Sequence, residues 1–288
     1  MGAGVSRRAF LAGCAASVGR ALHANPVKQA GLALKPFCFY AMDTGLRGPD
    51  VPSLEDKIKV LHDLGYWGID YTLNHDELPR LLGLLDNYNV QLACAYLSPR
   101  LEDEIDARLG DSIKRMAGRP TRIELAIGST RLKTSDPAGD DRAVQLLRRV
   151  SDMAEDLGPV VSVYPHTGQW AERAEDGVRL SKKCGRKNVG TNFNLVHWKW
   201  VKQNTPQEQL IREAMPHLFA VSINGLRGRD IVPLDEGDYD VTAFVKRLKD
   251  AGYEGPVGLQ GYGIPGSSRE SLKRSRKKWA EITKTLHI

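Results

Sequence analysis

Short β-branched and apolar runs alternate along this chain with stretches whose apolar residues recur at helical spacing. Residues 37–42 form the first apolar run. Pro52-Ser53 follows as a helix cap, with Leu54, Ile58 and Leu61 on one face and a stop at Gly65. Further strands are predicted at 67–73, 90–97, 122–127, 160–166, 189–200, 219–224 and 256–260. Helices are predicted between them. Val144, Leu147, Val150, Ala154 and Leu157 mark one apolar face, stopped at Gly158-Pro159, and Val241, Phe244, Val245 and Leu248 mark another. A long basic helix running to about Leu286 closes the chain.

Eight strand–helix alternations without a repeat or a low-complexity linker predict parallel βαβ units. Eight units within residues 25–288 fit a single (β/α)8 TIM barrel better than a doubly wound sheet. No glycine-rich phosphate fingerprint follows the first strand, which weakens the dinucleotide-fold alternative.

In such a barrel, chemistry sits at the C-terminal strand ends, and inward side chains alternate with outward ones. Parity then turns Ser162, Tyr164 and His166 inward on the fifth strand, with Val161 and Val163 outward. The sixth offers Asn192 and Asn194, the seventh Ser222 and Asn224, and the eighth Gln260. The second adds Asp70. Four consecutive strands thus converge polar groups on one mouth, the pattern of a binding pocket.

Two segments there share an ending. Residues 160–170 run Val-Val-Ser-Val-Tyr-Pro-His-Thr-Gly-Gln-Trp, and residues 189–200 end Asn-Leu-Val-His-Trp-Lys-Trp. His166 and His197 are the candidate acid and base, since imidazole alone titrates near neutrality without help. Trp170 and Trp198 are candidate faces for stacking on a sugar ring. Arg227, in the loop after the seventh strand, is a candidate holder of phosphate or carboxylate. Glu124 falls early in its strand and is not a strong replacement base.

The chain after residue 24 resembles the sugar phosphate isomerase/epimerase group of xylose isomerase-like TIM barrels. The likeness rests on the eight-unit layout, on Tyr164-Pro165-His166 where that family shows Glu-Asn-His, and on Asn194-Leu195-Val196-His197 where it shows Asp-x-x-His. The resemblance implies one divalent ion held by Glu, Asp, His and Glu at the ends of strands 5 to 8. This chain carries Tyr164, Asn194, Ser222 and Gln260 at those four places. Neutral groups bind Mg²⁺ or Mn²⁺ feebly without a carboxylate, so the family's metal is expected to be lost and no cofactor is expected.

The resemblance therefore implies an isomerase- or epimerase-like protein acting on a carbohydrate by proton transfer at a keto-sugar, with β-elimination also open. A catalytically degenerate barrel that binds a sugar or a partner protein through the same mouth is the alternative. A metal-dependent endonuclease of the related DNA-repair branch is disfavoured.

Charge supports that last point. The sequence has a net charge of +6, but residues 1–24 contribute Arg7, Arg8 and Arg20 and no acid. The remainder holds 38 basic and 35 acidic residues, too balanced for a nucleic-acid surface. The basic cluster at 273–278 reads as a solvated helix face. With 41% apolar and 26% charged residues the composition is that of an ordinary globular protein.

Ser6-Arg7-Arg8-Ala9-Phe10-Leu11 follows the S-R-R-x-F-L pattern of a twin-arginine export signal, and small residues near Ala24 suit cleavage. Residues 1–24 are thus expected to be a signal segment and the protein to be periplasmic. The apolar run is too short to span a bilayer. Leu11-Ala12-Gly13-Cys14 resembles a lipoprotein box, but almost no apolar region precedes it. Cys38 and Cys94 read as small core residues, and no Cys/His spacing suggests zinc.

Overall fold

In the computed structural model, the described residues are 34–288 together with Met1, so the expected signal segment and Cys14 lie outside them. The first half of the chain builds β1 (Phe39–Met42), α1 (Leu54–Asp63), β2 (Gly68–Thr72), α2 (Leu78–Asn87), β3 (Gln91–Leu97), α3 (Leu109–Arg115), β4 (Arg122–Leu125) and α4 (Asp140–Ala154). It continues with β5 (Val160–Val163), α5 (Ala174–Cys184), β6 (Val189–Asn194), α6 (Leu195–Trp200), α7 (Gln207–Ala214) and β7 (Leu218–Ile223). A short hairpin, β8 (Gly225–Arg227) and β9 (Asp230–Val232), precedes α8 (Val241–Asp250), β10 (Val257–Leu259) and α9 (Ser268–Leu286).

Eight parallel strands close in the order β1-β10-β7-β6-β5-β4-β3-β2, the (β/α)8 barrel that the alternation predicts. The hairpin pairs only with itself and was not foreseen. Among the described residues, no helix is long and apolar enough to cross a membrane.

Helix starts follow from local chemistry. The Ser53 hydroxyl accepts from Asp56 N at 3.1 Å while the Asp56 carboxylate accepts from Ser53 N at 3.2 Å, a reciprocal cap on α1. Along α4, Ala143, Val144, Leu147, Val150 and Ala154 are buried on one stripe against the sheet.

The strand parity holds. Val161, Val163, Phe193, Leu195, Val221, Ile223, Val257 and Leu259 belong to the apolar layer between sheet and helices. Tyr164 belongs to a separate cluster inside the barrel, with Tyr40, Met42, Ala93 and Ala126. Room for Tyr40 depends on Gly258 beside it, where a Cβ would stand 2.5 Å from the Tyr40 ring. Val160, Phe219 and Leu34 pack together as a third apolar cluster.

The sixth element differs from expectation. Its strand stops at Asn194, and residues 195–200 are helical. The Asn194 carboxamide oxygen accepts from the backbone N–H groups of Val196 and His197, at 3.1 and 3.2 Å, which nucleates the turn. His197 therefore projects from a helix and not from a strand end.

Candidate active site

A cleft of about 160 Å³ opens at the barrel mouth. Four of the predicted residues line it: Asp70 from β2, Tyr164 and His166 just past β5, and Gln260 just past β10. The turn after β1 contributes Asp43, Thr44 and Arg47, while Thr72 and Tyr96 come from β2 and β3. Sequence reasoning missed these five: Asp43, Thr44 and Arg47 lie in an aperiodic turn, and on the second strand only Asp70 was singled out.

His166 is half-buried, and its Nδ1 lies 2.7 Å from the carbonyl oxygen of Thr167. A carbonyl only accepts, so Nδ1 carries the proton and Nε2 keeps its lone pair. Burial lowers the His166 imidazole below its ordinary value, which keeps the ring neutral at neutral pH.

His197 stands against it, the ring centroids 4.1 Å apart. It is 4% exposed and does not line the cleft, so it reaches the site through the two cleft residues its ring touches, His166 and Tyr164. Burial, and then the neighbouring His166, hold its imidazole well below the ordinary histidine value. Thr167 Oγ1 lies 3.1 Å from His197 Nδ1, so one residue orients both rings.

Tyr164 and Asn194 face each other, the Asn194 Nδ2 donating to the Tyr164 hydroxyl at 2.5 Å. Burial raises the Tyr164 phenol well above its ordinary value, so it remains an O–H. Gln260 Oε1 accepts from the Thr44 hydroxyl at 2.7 Å, tying the last strand to the first loop.

Three other predicted groups lie in the wall and not on the cleft. Asn192 accepts from Ser162 Oγ at 2.8 Å, Asn224 donates to Gly225 O at 2.8 Å, and Ser222 Oγ is buried without a protein partner.

Three expectations are corrected. Trp170 is 2% exposed, donates Nε1 to Asp136 O at 3.0 Å and sits against Gly139, so it packs under a loop and offers no face to a sugar. Trp198 packs on Phe193 at 6.1 Å, on the helix side of β6; Trp200 is the indole that meets His197, at 5.9 Å. Arg227 is exposed and spends its guanidinium on Glu236 at 2.7 Å, a carboxylate shared with Arg274. Arg47 is the cation that lines the cleft, and it forms no ion pair with another described residue.

Deeper in the barrel, Arg122 donates Nε to Glu124 at 3.2 Å, both almost wholly buried. Asp70, Cys94 and Glu124 place their oxygen and sulfur atoms within 4.8 Å of one another, the one such group of metal-ligand side-chain types among the described residues.

Comparison with known proteins places this geometry. D-allulose 3-epimerase from Methylomonas sp., solved with D-allulose, superposes with a TM-score of 0.69 at 16% identity, covering 86% of this chain and 98% of that one. The 3-keto-D-glucoside 4-epimerase YcjR from E. coli gives 0.66 at 14% identity over 85% and 99%. At such identities the likeness is one of fold. A stretch of 100 residues is 30% identical to a putative hydroxypyruvate isomerase of Mus musculus, a match spanning 35% of either chain and thus about a third of that relative's length. The profile of one family matches residues 58–278, most of the barrel. The chain belongs to the xylose isomerase-like TIM barrel family.

Proposed function

We propose that this protein is a carbohydrate isomerase or epimerase that moves a proton at the carbon beside a keto-sugar carbonyl, with His166 as the base and without a divalent ion. The observation that carries the reading is the His166–His197 pair at the cleft, with His166 Nδ1–H fixed on Thr167 O. A base that is neutral at neutral pH, oriented by a backbone carbonyl and half-screened from water, is what carbon–proton abstraction needs. His197 is a positioning residue, steadying the His166 ring from behind. The two solved chains compared above are sugar epimerases by name, and the partial relative is a putative hydroxypyruvate isomerase, which supports a keto-sugar substrate.

The donors at the four family ligand positions do not fit a divalent ion. Tyr164, Asn194, Ser222 and Gln260 supply no carboxylate, Asn194 Oδ1 is spent on the α6 cap, and Gln260 Oε1 on Thr44. Hard cations require charged oxygen to displace their water. No step is therefore assigned to a metal. A cleft of about 160 Å³ favours a short open-chain sugar over a glycan. Arg47 offers that sugar a charge partner for a carboxylate or phosphate.

Proton exchange tests the reading. Wild-type protein in D₂O is expected to exchange the proton adjacent to the carbonyl of at least one member of a panel of keto-sugars, followed by NMR. His166→Ala/His197→Ala is expected to lose that exchange. Equal inertness of both over the whole panel would favour a second reading, a barrel that binds carbohydrate or a partner without turning it over. The hydroxyl and amide groups of Thr44, Thr72, Tyr96, Tyr164 and Gln260 along the cleft suit sugar hydroxyls whether or not turnover follows, which supports that alternative. Periplasmic export is proposed from the twin-arginine pattern, and unchanged fractionation of Arg7→Lys/Arg8→Lys would count against it.

A further inference from the structure

Beneath the cleft the barrel encloses a charge imbalance. Asp70, Cys94, Glu124, Arg122 and Tyr40 are all 3% exposed or less. Arg122 is the fixed cation, donating Nε to Glu124 at 3.2 Å and lying 5.0 Å from the centroid of the Tyr40 ring. Against this single positive charge stand two carboxyl groups, Asp70 and Glu124.

The other groups facing them bring no compensating charge. Burial pushes the Cys94 thiol and the Tyr40 and Tyr164 phenols well up, and the Tyr96 phenol is raised for the same reason, so all four stay neutral. Asp43, in the turn after β1, adds negative potential, and its own cation is Lys57 at 2.7 Å. With both interior carboxyls ionised, the closed barrel would hold an uncompensated anion, which a low-dielectric interior resists by retaining a proton.

Geometry decides which carboxyl keeps it. Glu124 is the one that Arg122 pairs with. Each carboxyl has one oxygen buried without a protein partner, Asp70 Oδ2 and Glu124 Oε2, but Asp70 pairs with no cation among the described residues and is the one that lines the cleft.

We propose that Asp70 is a catalytic acid: a protonated carboxyl that donates its O–H to the carbonyl oxygen of a keto-sugar in the cleft. This rests on the isomerase reading above and supplies its missing electrophile. His166 Nε2 takes the proton from the carbon beside the carbonyl. The C–H electron pair becomes the C=C bond of an enediol, and the carbonyl π pair moves to oxygen, which takes the Asp70 proton. Asp70 is left as a carboxylate, and the positive charge gained in the same step resides on His166, which has taken the carbon proton. Delivery of the His166 proton to the former carbonyl carbon, with the neighbouring enediol hydroxyl giving its proton to Asp70 and becoming the new carbonyl, completes the isomerisation and resets both groups. A neutral carboxylic acid held in an apolar site is a known way to polarise a carbonyl at neutral pH.

Infrared difference spectroscopy reads this proton without turnover. Full-length wild-type protein at neutral pH is expected to show a protonated-carboxyl C=O band that shifts in D₂O. The band is expected to vanish in Asp70→Asn, which keeps the shape of the side chain. It is also expected to vanish in Glu124→Gln, because Arg122 then balances the one carboxyl left. In the exchange assay Asp70→Asn is expected to lower the rate by about 10²-fold or more, as for a general acid. A wild type without the band, or a band that survives Asp70→Asn, overturns the proposal. Exchange with no band refutes the acid and leaves the isomerase reading standing. A band with no exchange on any keto-sugar refutes the isomerase reading and the acid's role with it.

Discussion

His166 and His197 stand 4.1 Å apart, ring centre to ring centre, with Thr167 touching the Nδ1 atoms of both. Two imidazolium rings would not tolerate that spacing in a buried site, so the pair has to fold with at least one ring neutral. Both pKa values are lowered, chiefly by burial.

Stability should therefore depend on acid in a particular direction. In the unfolded chain these histidines take up protons as pH falls through about 6.5, while the folded pair resists. Their contribution is fully present above that pH and is lost as pH falls towards the folded values. Denaturant unfolding at about pH 7.5 and about pH 5.5 should show His197→Gln losing roughly 1 kcal/mol less than wild type between the two. The raised Asp70 carboxyl works in the opposite sense, its contribution falling as pH rises above the unfolded carboxylate range. The comparison with wild type cancels that background. An identical pH dependence in the two proteins would contradict the buried neutral His197.

The Tyr164–Asn194 contact gives a second test. Tyr164→Phe leaves Asn194 Nδ2 buried without its acceptor, while Asn194 Oδ1 goes on capping α6. A stranded amide donor costs about 1–3 kcal/mol, to be measured by denaturant unfolding. Full retention of stability would mean that the amide finds another partner.

Packing inside the barrel is tested at glycine. Gly258→Ala drives a methyl to 2.5 Å from the Tyr40 ring, and overpacking of this kind costs about 1–3 kcal/mol. Gly83, exposed on α2 with nothing within 4 Å of a Cβ, is the control. Gly83→Ala should stabilise by about 0.5–1 kcal/mol through helix propensity. Equal effects at the two positions would show that the barrel interior is not tightly filled.

The barrel was legible because its strands alternate: Val161 and Val163 outward, with Ser162 and Tyr164 inward, leave one register available. That register also located Asp70, His166 and Gln260 at the cleft. What escaped has local causes. Leu195-Val196 continued a β-like run, and a six-residue helix is too short to show a helical period, so the N-cap at Asn194 went unread. Trp170 looked like a stacking platform because nothing in the chain reveals that Asp136 and Gly139 fold over it. Arg227 lost its apparent freedom to Glu236, a partner delivered by a hairpin that the sequence did not announce. Arg47 and Asp43 lie in an aperiodic turn, where only the fold brings them to the mouth.

The acid limb of the reaction follows from His166. Because burial lowers its pKa, the exchange rate should begin to fall only below the ordinary histidine value of about 6.5 as pH decreases. A limb above that value would assign the base elsewhere.

The central claim, proton transfer by His166 without a divalent ion, is tested most directly by following carbon–hydrogen exchange of a keto-sugar in D₂O with chelator-treated protein whose metal content has been measured. Exchange should persist in the metal-free protein, remain unchanged on adding Mn²⁺, and fall by about 10²-fold or more in His166→Gln. Exchange that appears only when Mn²⁺ is restored, or that is equally fast in His166→Gln, would contradict the account.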